Sequence, residues 1–328
     1  MAGAFALQNG CPERLLTRAG MSEAVPAAVV AAGSAVALAG AWRAAQHGLI
    51  EPVLVGDPDI ITRKAREIGW NLHGACVIPA QDETSAARLS VALARSGEVG
   101  ILMKGHLHTD TLLSAALDRQ HGLRIGRRFT HAFHMTVPST GRELIITDAA
   151  VNIAPDVDTK LDIIRNAVEL AKLLGCTEPR VALLSCTEEV THRVPSSIDA
   201  AELTRRCAAG AVEGARVFGP MALDLAVSVE AARIKGLNHP CAGVADVLVV
   251  PSIDTGNALF KMMVHFLGAV AAGVVLGAAV PIILTSRADP PEARIAAAAI
   301  AKILASSRST DLPPLVQTGP AIQAVTGL

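Results

Sequence analysis

The 328-residue chain contains no tyrosine, and aromatic residues of all kinds make up only 2% of it. Readers of single strands and of RNA stack bases on such rings, so this class of function is argued against from the outset. Positive charge is not in surplus either: 29 Lys and Arg stand against 30 Asp and Glu. Without a basic block the chain has neither the electrostatic footprint of a nucleic-acid binder nor the polybasic signal of a membrane-surface protein. Cysteines number six, from Cys11 to Cys241, and no two are spaced CxxC. A structural zinc site or a disulfide framework is therefore not expected; buried thiols in a reducing compartment fit better. The first twenty residues lack a cationic start followed by an apolar run, the pattern of a secretory signal, so a cytoplasmic location is the expectation.

Apolar material is plentiful. Apolar types make up 51% and charged types 18%, enough for a large core, and the length suits two domains. Two uncharged stretches, Ala24–Trp42 and Phe266–Ser286, have the length of a membrane span. Pro26, Gly33 and Gly40 interrupt the first; Gly268, Gly273, Gly277 and Pro281 cut the second into pieces of strand length. Buried parallel strands read as such continuous runs, so both are expected in a protein core.

Strand-like and helix-like segments alternate through the first third. Ala27–Ala32, Pro52–Val55, Cys76–Ile78 and Val99–Met103 read as strands, with helices at Ser34–His47, Ile60–Ile68, Thr84–Arg95 and Thr109–Leu117. Such alternation argues for a parallel α/β sheet. Near residue 125 the pattern changes: Thr130–Val137 and Glu143–Thr147, separated by Pro138-Ser139-Thr140-Gly141, predict an antiparallel hairpin. Thr159–Leu174 is amphipathic, and Val181–Leu184, Val247–Val250, Gly273–Leu276 and Ile282–Thr285 are apolar strands. The hairpin marks a second domain, giving an expected division into residues 1–128 plus 287–328 and residues 129–286.

The common signatures of nucleotide loops, metalloproteases and hydrolase elbows are absent: there is no GxGxxG after a strand, no GxxxxGK[ST], no HExxH and no GxSxG. His106 with His108 and His131 with His134 are the close histidine pairs, but no acidic partner lies at a diagnostic metal spacing, and no metal is expected. Polar residues instead follow several strand ends, where open α/β sheets bind ligands. Lys104, Gly105 and Thr109 follow one strand, and Asp148 and Asn152 another. Asp254, Gly256, Asn257 and Lys261 follow a third, and Ser286 and Arg287 a fourth. Each has a plain alternative as a helix cap or a surface ion pair. Together they supply an Arg, a Lys, small hydroxyls and helix N-termini, the parts of a phosphate or carboxylate site.

The runs Val249-Val250-Pro251-Ser252-Ile253-Asp254-Thr255-Gly256-Asn257-Ala258-Leu259-Phe260-Lys261 and Pro281-Ile282-Ile283-Leu284-Thr285-Ser286-Arg287-Ala288-Asp289 resemble the phosphate acetyltransferase/phosphate butyryltransferase family. So do Lys104-Gly105 with Thr109, the stretch Ile146–Asp156, and Glu51–Asp57; the resemblance extends from about Ala24 to Leu304. It lies closer to the butyryl-type and short acetyltransferase-like branch: Leu113 occupies the place of an Arg, and Ala293 the place of the Asp proposed as thiol base. The resemblance implies two α/β domains with an interdomain cleft, like isocitrate and isopropylmalate dehydrogenases, and a homodimer. It also implies reversible acyl transfer between coenzyme A and phosphate, with acyl-CoA, CoA, phosphate and acyl phosphate as substrates and products and no cofactor.

On this reading Arg287 meets the phosphoryl group bidentately and offsets charge on the tetrahedral intermediate, with Ser286 beside it. Asp289 and Glu292 are candidates to take the proton of the CoA thiol, since the thiolate is the nucleophile. Asp289-Pro290-Pro291-Glu292 equally has the spacing of a helix N-cap with Pro at the first helical position. Two rival functions stay open. A metal- and NAD-dependent dehydrogenase of similar fold needs clustered Asp ligands, and Asp246 and Asp254 stand unaccompanied. A non-catalytic acyl-CoA-binding relative is the other.

Overall fold

The computed structural model describes residues 7–8, 11–285 and 289–308. A short N-terminal hairpin, β1 (Leu7–Gln8) and β2 (Cys11–Pro12), leads into α1 (Glu13–Ala19). The alternating region follows as β3 (Val25–Val30), α2 (Ala35–Gln46), β4 (Ile50–Gly56), α3 (Pro58–Glu67), β5 (Cys76–Pro79), α4 (Glu83–Ser96), β6 (Ile101–Lys104) and α5 (Thr109–Leu117). Next come the hairpin β7 (Thr130–Val137) and β8 (Arg142–Thr147), then α6 (Val157–Leu173), β9 (Arg180–Leu184), α7 (Pro195–Arg206) and β10 (Arg216–Met221). The chain closes with α8 (Leu223–Val227), α9 (Val229–Ile234), β11 (Val247–Val249), α10 (Ile253–Leu267), β12 (Val270–Leu276), β13 (Ile282–Ile283) and α11 (Pro291–Arg308).

Local chemistry explains most boundaries. The Ser34 hydroxyl accepts from the Ala37 N–H at the start of α2, and Asp57 accepts from Asp59 and Ile60 ahead of a proline-initiated α3. Asp82 and Ser85 form a reciprocal capping box on α4, which ends at Gly97 in the left-handed conformation. Predicted and observed elements agree at their centres. The strand expected over Ile282–Thr285 is shorter, and β10, whose run is broken by Gly219-Pro220, gives no periodic signal.

Eleven strands form one sheet in the order β10-β9-β11-β8-β7-β12-β13-β6-β3-β4-β5. The sheet is not parallel throughout, as the alternation alone predicts. β5, β4, β3, β6 and β13 are mutually parallel; β12 runs against β13 and β7, and β7 against β8. From β8 onward, β11, β9 and β10 are again parallel to one another. Counting these reversals, the block β8-β11-β9-β10 points opposite to the block β13-β6-β3-β4-β5.

Alternate residues of each strand feed opposite faces. On one face Val29, Met103, Ala132, Ile145, Val274 and Ile283 join a single continuous core with α2, α6 and α11. The other face carries two separate cores. One lies under α4 and α5 and takes in Val30, Leu102 and Val275. The other lies under α8, α9 and α10 and takes in Phe133, Met135 and Ile146. Strand β12 is their boundary, with Val275 in the first and Ala271 packed against the second.

Among the described residues no helix is long and apolar enough to cross a membrane. Of the two span-length stretches, Ala24–Trp42 is divided between β3 and α2. All six cysteines are free; Cys11 and Cys241 are buried, as expected, whereas Cys76 and Cys186 are exposed.

Candidate functional site

The predicted site residues fall into two groups because the strand blocks run in opposite directions. The first group collects at the carboxyl ends of β6 and β13, which are parallel neighbours. Lys104 ends β6, half-buried, and Gly105 turns the chain toward α5, which starts at Thr109. The Gly105 N–H donates to the Val30 carbonyl (2.9 Å) and the His106 N–H to the Ala31 carbonyl (2.7 Å). A Cβ at Gly105 would lie 2.3 Å from the Val30 oxygen, so only glycine lets this turn press against the end of β3.

Beyond β13, Thr285 is 8% exposed and its hydroxyl accepts from Nη1 of Arg294 (2.9 Å). Arg294 sits on α11 and is itself 5% exposed; burial lowers its affinity for a proton while the charge of Asp289 opposes that. Arg294 therefore interacts with residues on both sides of the 286–288 stretch, by a hydrogen bond on one and by charge on the other. Ser286 and Arg287, central to the expectation from sequence, lie outside the described residues. α11 begins at Pro291, so a proline does take the first helical position, but one residue later than the spacing predicts: Asp289 stands before the cap and Glu292 is second in the helix. Glu292 is half-buried, and its charge adds to the burial that pushes the Cys11 thiol up to about 12. Sequence reasoning passed over Arg294; the signal was a lone cation in the alanine-rich run Ala293–Ala301.

The second group gathers at the carboxyl ends of β8 and β11. Asp148 is 1% exposed and accepts four hydrogen bonds: one oxygen takes the N–H groups of Ala150 (3.0 Å) and Val151 (2.9 Å). The other takes the His131 N–H (3.0 Å) and the Asn152 amide (2.6 Å). Asn152 also donates to the Phe129 carbonyl (2.9 Å). The two residues thus shape the loop on which α10 is seated: a Cβ at Gly256 would lie 2.7 Å from the Asp148 carbonyl oxygen. Asp254 is exposed in the first turn of α10, where an acidic side chain suits the helix dipole. Asn257, half-buried, and Lys261, exposed, stand one turn apart on the same side of the helix. Over its 15 residues α10 runs about 22 Å back across the sheet, on the same face as α5, toward the edge where the first group lies.

His131 and His134, three residues apart on one strand, necessarily point to opposite faces and do not form a pair. Among the described residues, no group of three or more His, Cys, Asp or Glu side chains is placed to hold a metal. Both imidazoles are buried and each is pushed down to about 4 by that burial; the Asp148 charge opposes the shift at His131 and Arg14 adds to it at His134. Unfolded histidine titrates near 6.5, so between pH 6.5 and 4 the unfolded chain binds protons that the native protein excludes, and stability falls as pH drops through that window. Glu143, held above its usual range by burial, works weakly the other way. Urea titrations are expected to show the unfolding free energy lower at pH 5 than at pH 7, by on the order of a few kcal/mol. An unchanged value would mean that the native protein accommodates the imidazolium.

With this geometry in place, comparison with known proteins gives a consistent answer. The family model described as "Phosphate acetyl/butaryl transferase" matches residues 80–302. The chain is 46% identical to a phosphate acetyltransferase of Rhizobium meliloti over 83% of its own length and 86% of the relative's. It is 34% identical to a phosphate butyryltransferase of Clostridium acetobutylicum over 81% and 88% of the two chains. The crystal structure of a branched-chain phosphotransacylase from Enterococcus faecalis V583 superposes with a TM-score of 0.76 at 32% identity, covering 86% of this chain and 99% of that one. The chain belongs to the phosphate acetyl/butyryl transferase family.

Proposed function

We propose that this protein is a phosphate acyltransferase, moving a short acyl group reversibly between coenzyme A and inorganic phosphate. The observation that carries the reading is the family match across residues 80–302, which contains Lys104, Gly105, the α10 segment and the Ser286-Arg287 pair. In the forward direction a phosphate oxygen attacks the thioester carbonyl carbon. The tetrahedral intermediate collapses with cleavage of the C–S bond, and the leaving sulfur takes up a proton as CoA. In reverse the thiolate attacks the acyl phosphate and phosphate leaves. Arg287 supplies a planar fork to the phosphoryl oxygens and charge to the intermediate, and Lys104 adds a second cation. No cofactor is required by these steps.

We place the division into two lobes at 1–128 plus 287–328 and 129–286, with a cleft between α5 and α10 as in isocitrate-dehydrogenase-like folds; the presence of two separate cores on one face of the sheet supports two lobes, while the opposite face is one continuous core. Substrate bound in that cleft meets Lys104 and Thr109 from one lobe and Asn257 and Lys261 from the other. A homodimer is supported by α10 itself, whose Met262, Phe266 and Leu267 are 46%, 84% and 50% exposed, since such apolar faces mark contact surfaces. A cytoplasmic setting fits substrates that are cytosolic metabolites.

The experiment is release of free thiol from acyl-CoA plus phosphate, with kcat/KM for an acyl series from acetyl to hexanoyl and a parallel run under chelator. Chelator-resistant thiol release supports the proposal; no release with any chain length overturns it in favour of a non-catalytic binder. The same assay on Asp289→Asn and Glu292→Gln, alongside melting temperature, separates a proton acceptor from a structural residue. Loss of turnover at unchanged stability identifies the base. Asp289→Asn is expected to lower stability, because it removes a charge facing buried Arg294.

A further inference from the structure

Helix α11 does not need Arg294 to stay on the sheet. Ala293 and every residue of Ile295–Ile300 are buried, and the run from Ile295 joins the continuous core. A cation set among them is a weak source of stability, because desolvation offsets what its partners return. The protein nevertheless makes room for it. A Cβ on Gly40 of α2 would stand 3.1 Å from Arg294 Cδ and 3.5 Å from Met103 Cε. The bare glycine lets the arginine stem lie against α2 beside Met103, the residue before Lys104.

The guanidinium reaches the far end of β13. Its Nη1 donates to the buried Thr285 hydroxyl (2.9 Å), and the charge of Asp289 acts on it from beyond residues 286–288. Ile283 pairs with Met103, so the chain leaves β13 beside the Lys104-Gly105 turn. A planar, permanently charged fork keeps its partners in a fixed relation to one another. One buried group thus links the two ends of the segment that contains Ser286 and Arg287.

We propose that Arg294 is a positioning residue of the acyl-transfer reaction: it fixes the ends of the 286–288 segment and so sets how Arg287 meets the phosphoryl group. The inference rests on the phosphate acyltransferase reading and extends it to a residue that does not touch substrate. Arg294 projects from α11, which packs on the face of the sheet opposite α5 and α10, so it acts through Thr285 and Asp289. An error of about 1 Å in a group that meets the reacting atoms costs up to about 10²-fold in rate.

The test is thiol release from acyl-CoA and phosphate by the parent protein, Arg294→Met, Thr285→Val, Arg287→Ala and the Arg287→Ala/Arg294→Met double variant, with the melting temperature of each. Arg294→Met is expected to lower kcat/KM for phosphate by about 10–100-fold, with KM for acyl-CoA unchanged. Thr285→Val, which removes only the hydroxyl, is expected to lower it about fivefold. In the Arg287→Ala background Arg294→Met is expected to cost no more than about twofold, since a residue that acts through Arg287 then has nothing to position. A merely structural loss would multiply with that of Arg287→Ala, and this result overturns the proposal. So does near-normal kcat/KM in folded Arg294→Met. Should Arg294→Met not fold, Thr285→Val carries the same comparison in both backgrounds. A parent protein that releases no thiol overturns the acyltransferase reading and this inference with it, a result distinct from an active parent whose Arg294 variant is normal.

Discussion

Arg287→Ala is expected to lower kcat for thiol release by about 10²–10³-fold, the usual cost of removing a donor that meets charge developing in the transition state. The argument is chemical. A phosphoryl group attacking a thioester concentrates negative charge on oxygens that a planar guanidinium meets two at a time, and no other arginine occupies the Ser-Arg position of the family pattern. Arg287→Lys keeps the charge but not the fork, so it is expected to recover only part of the rate. Melting temperature, measured on the same preparations, is expected to stay close to that of the parent protein. An alanine variant with near-normal turnover would remove Arg287 from the mechanism and leave Lys104 as the cation to test.

Asp148→Ala is expected to produce a large loss of stability, about 2–3 kcal/mol by urea denaturation. The substitution removes the acceptor of three backbone N–H groups and of the Asn152 amide; the His131 N–H is buried, Val151 and Asn152 are half-buried and Ala150 is exposed. It also loosens the loop whose backbone, at the Asp148 carbonyl, packs against Gly256 of α10. Asn152→Ala removes one donor and is expected to cost about 1–2 kcal/mol. If Asp148→Ala instead left stability intact and raised KM for phosphate, the carboxylate would belong to substrate rather than to the loop.

These outcomes bear on what was legible beforehand. The hairpin at 130–147 and the apolar strands are local consequences of side-chain chemistry and period and appear where sequence places them; the caps Ser34, Asp57 and Asp82 are equally local in origin. The Lys104-Gly105 turn was visible too, as a glycine after a strand, although the reason for the glycine, contact with the Val30 carbonyl, is tertiary. Arg294 was missed because a cation inside a helix carries no local sign that its partners lie at the end of a strand.

By itself the sequence determined most of the elements and the family, because these follow from period, turn chemistry and joint motif spacing. Strand direction was decided only in three dimensions. Three successive antiparallel pairings, β13 with β12, β12 with β7 and β7 with β8, reverse the sheet across its middle, so strand ends that read alike along the chain emerge at opposite edges. Hydrogen-bonding between distant strands carries no local signature, which is why the separation of the site residues into two groups had no counterpart in any motif.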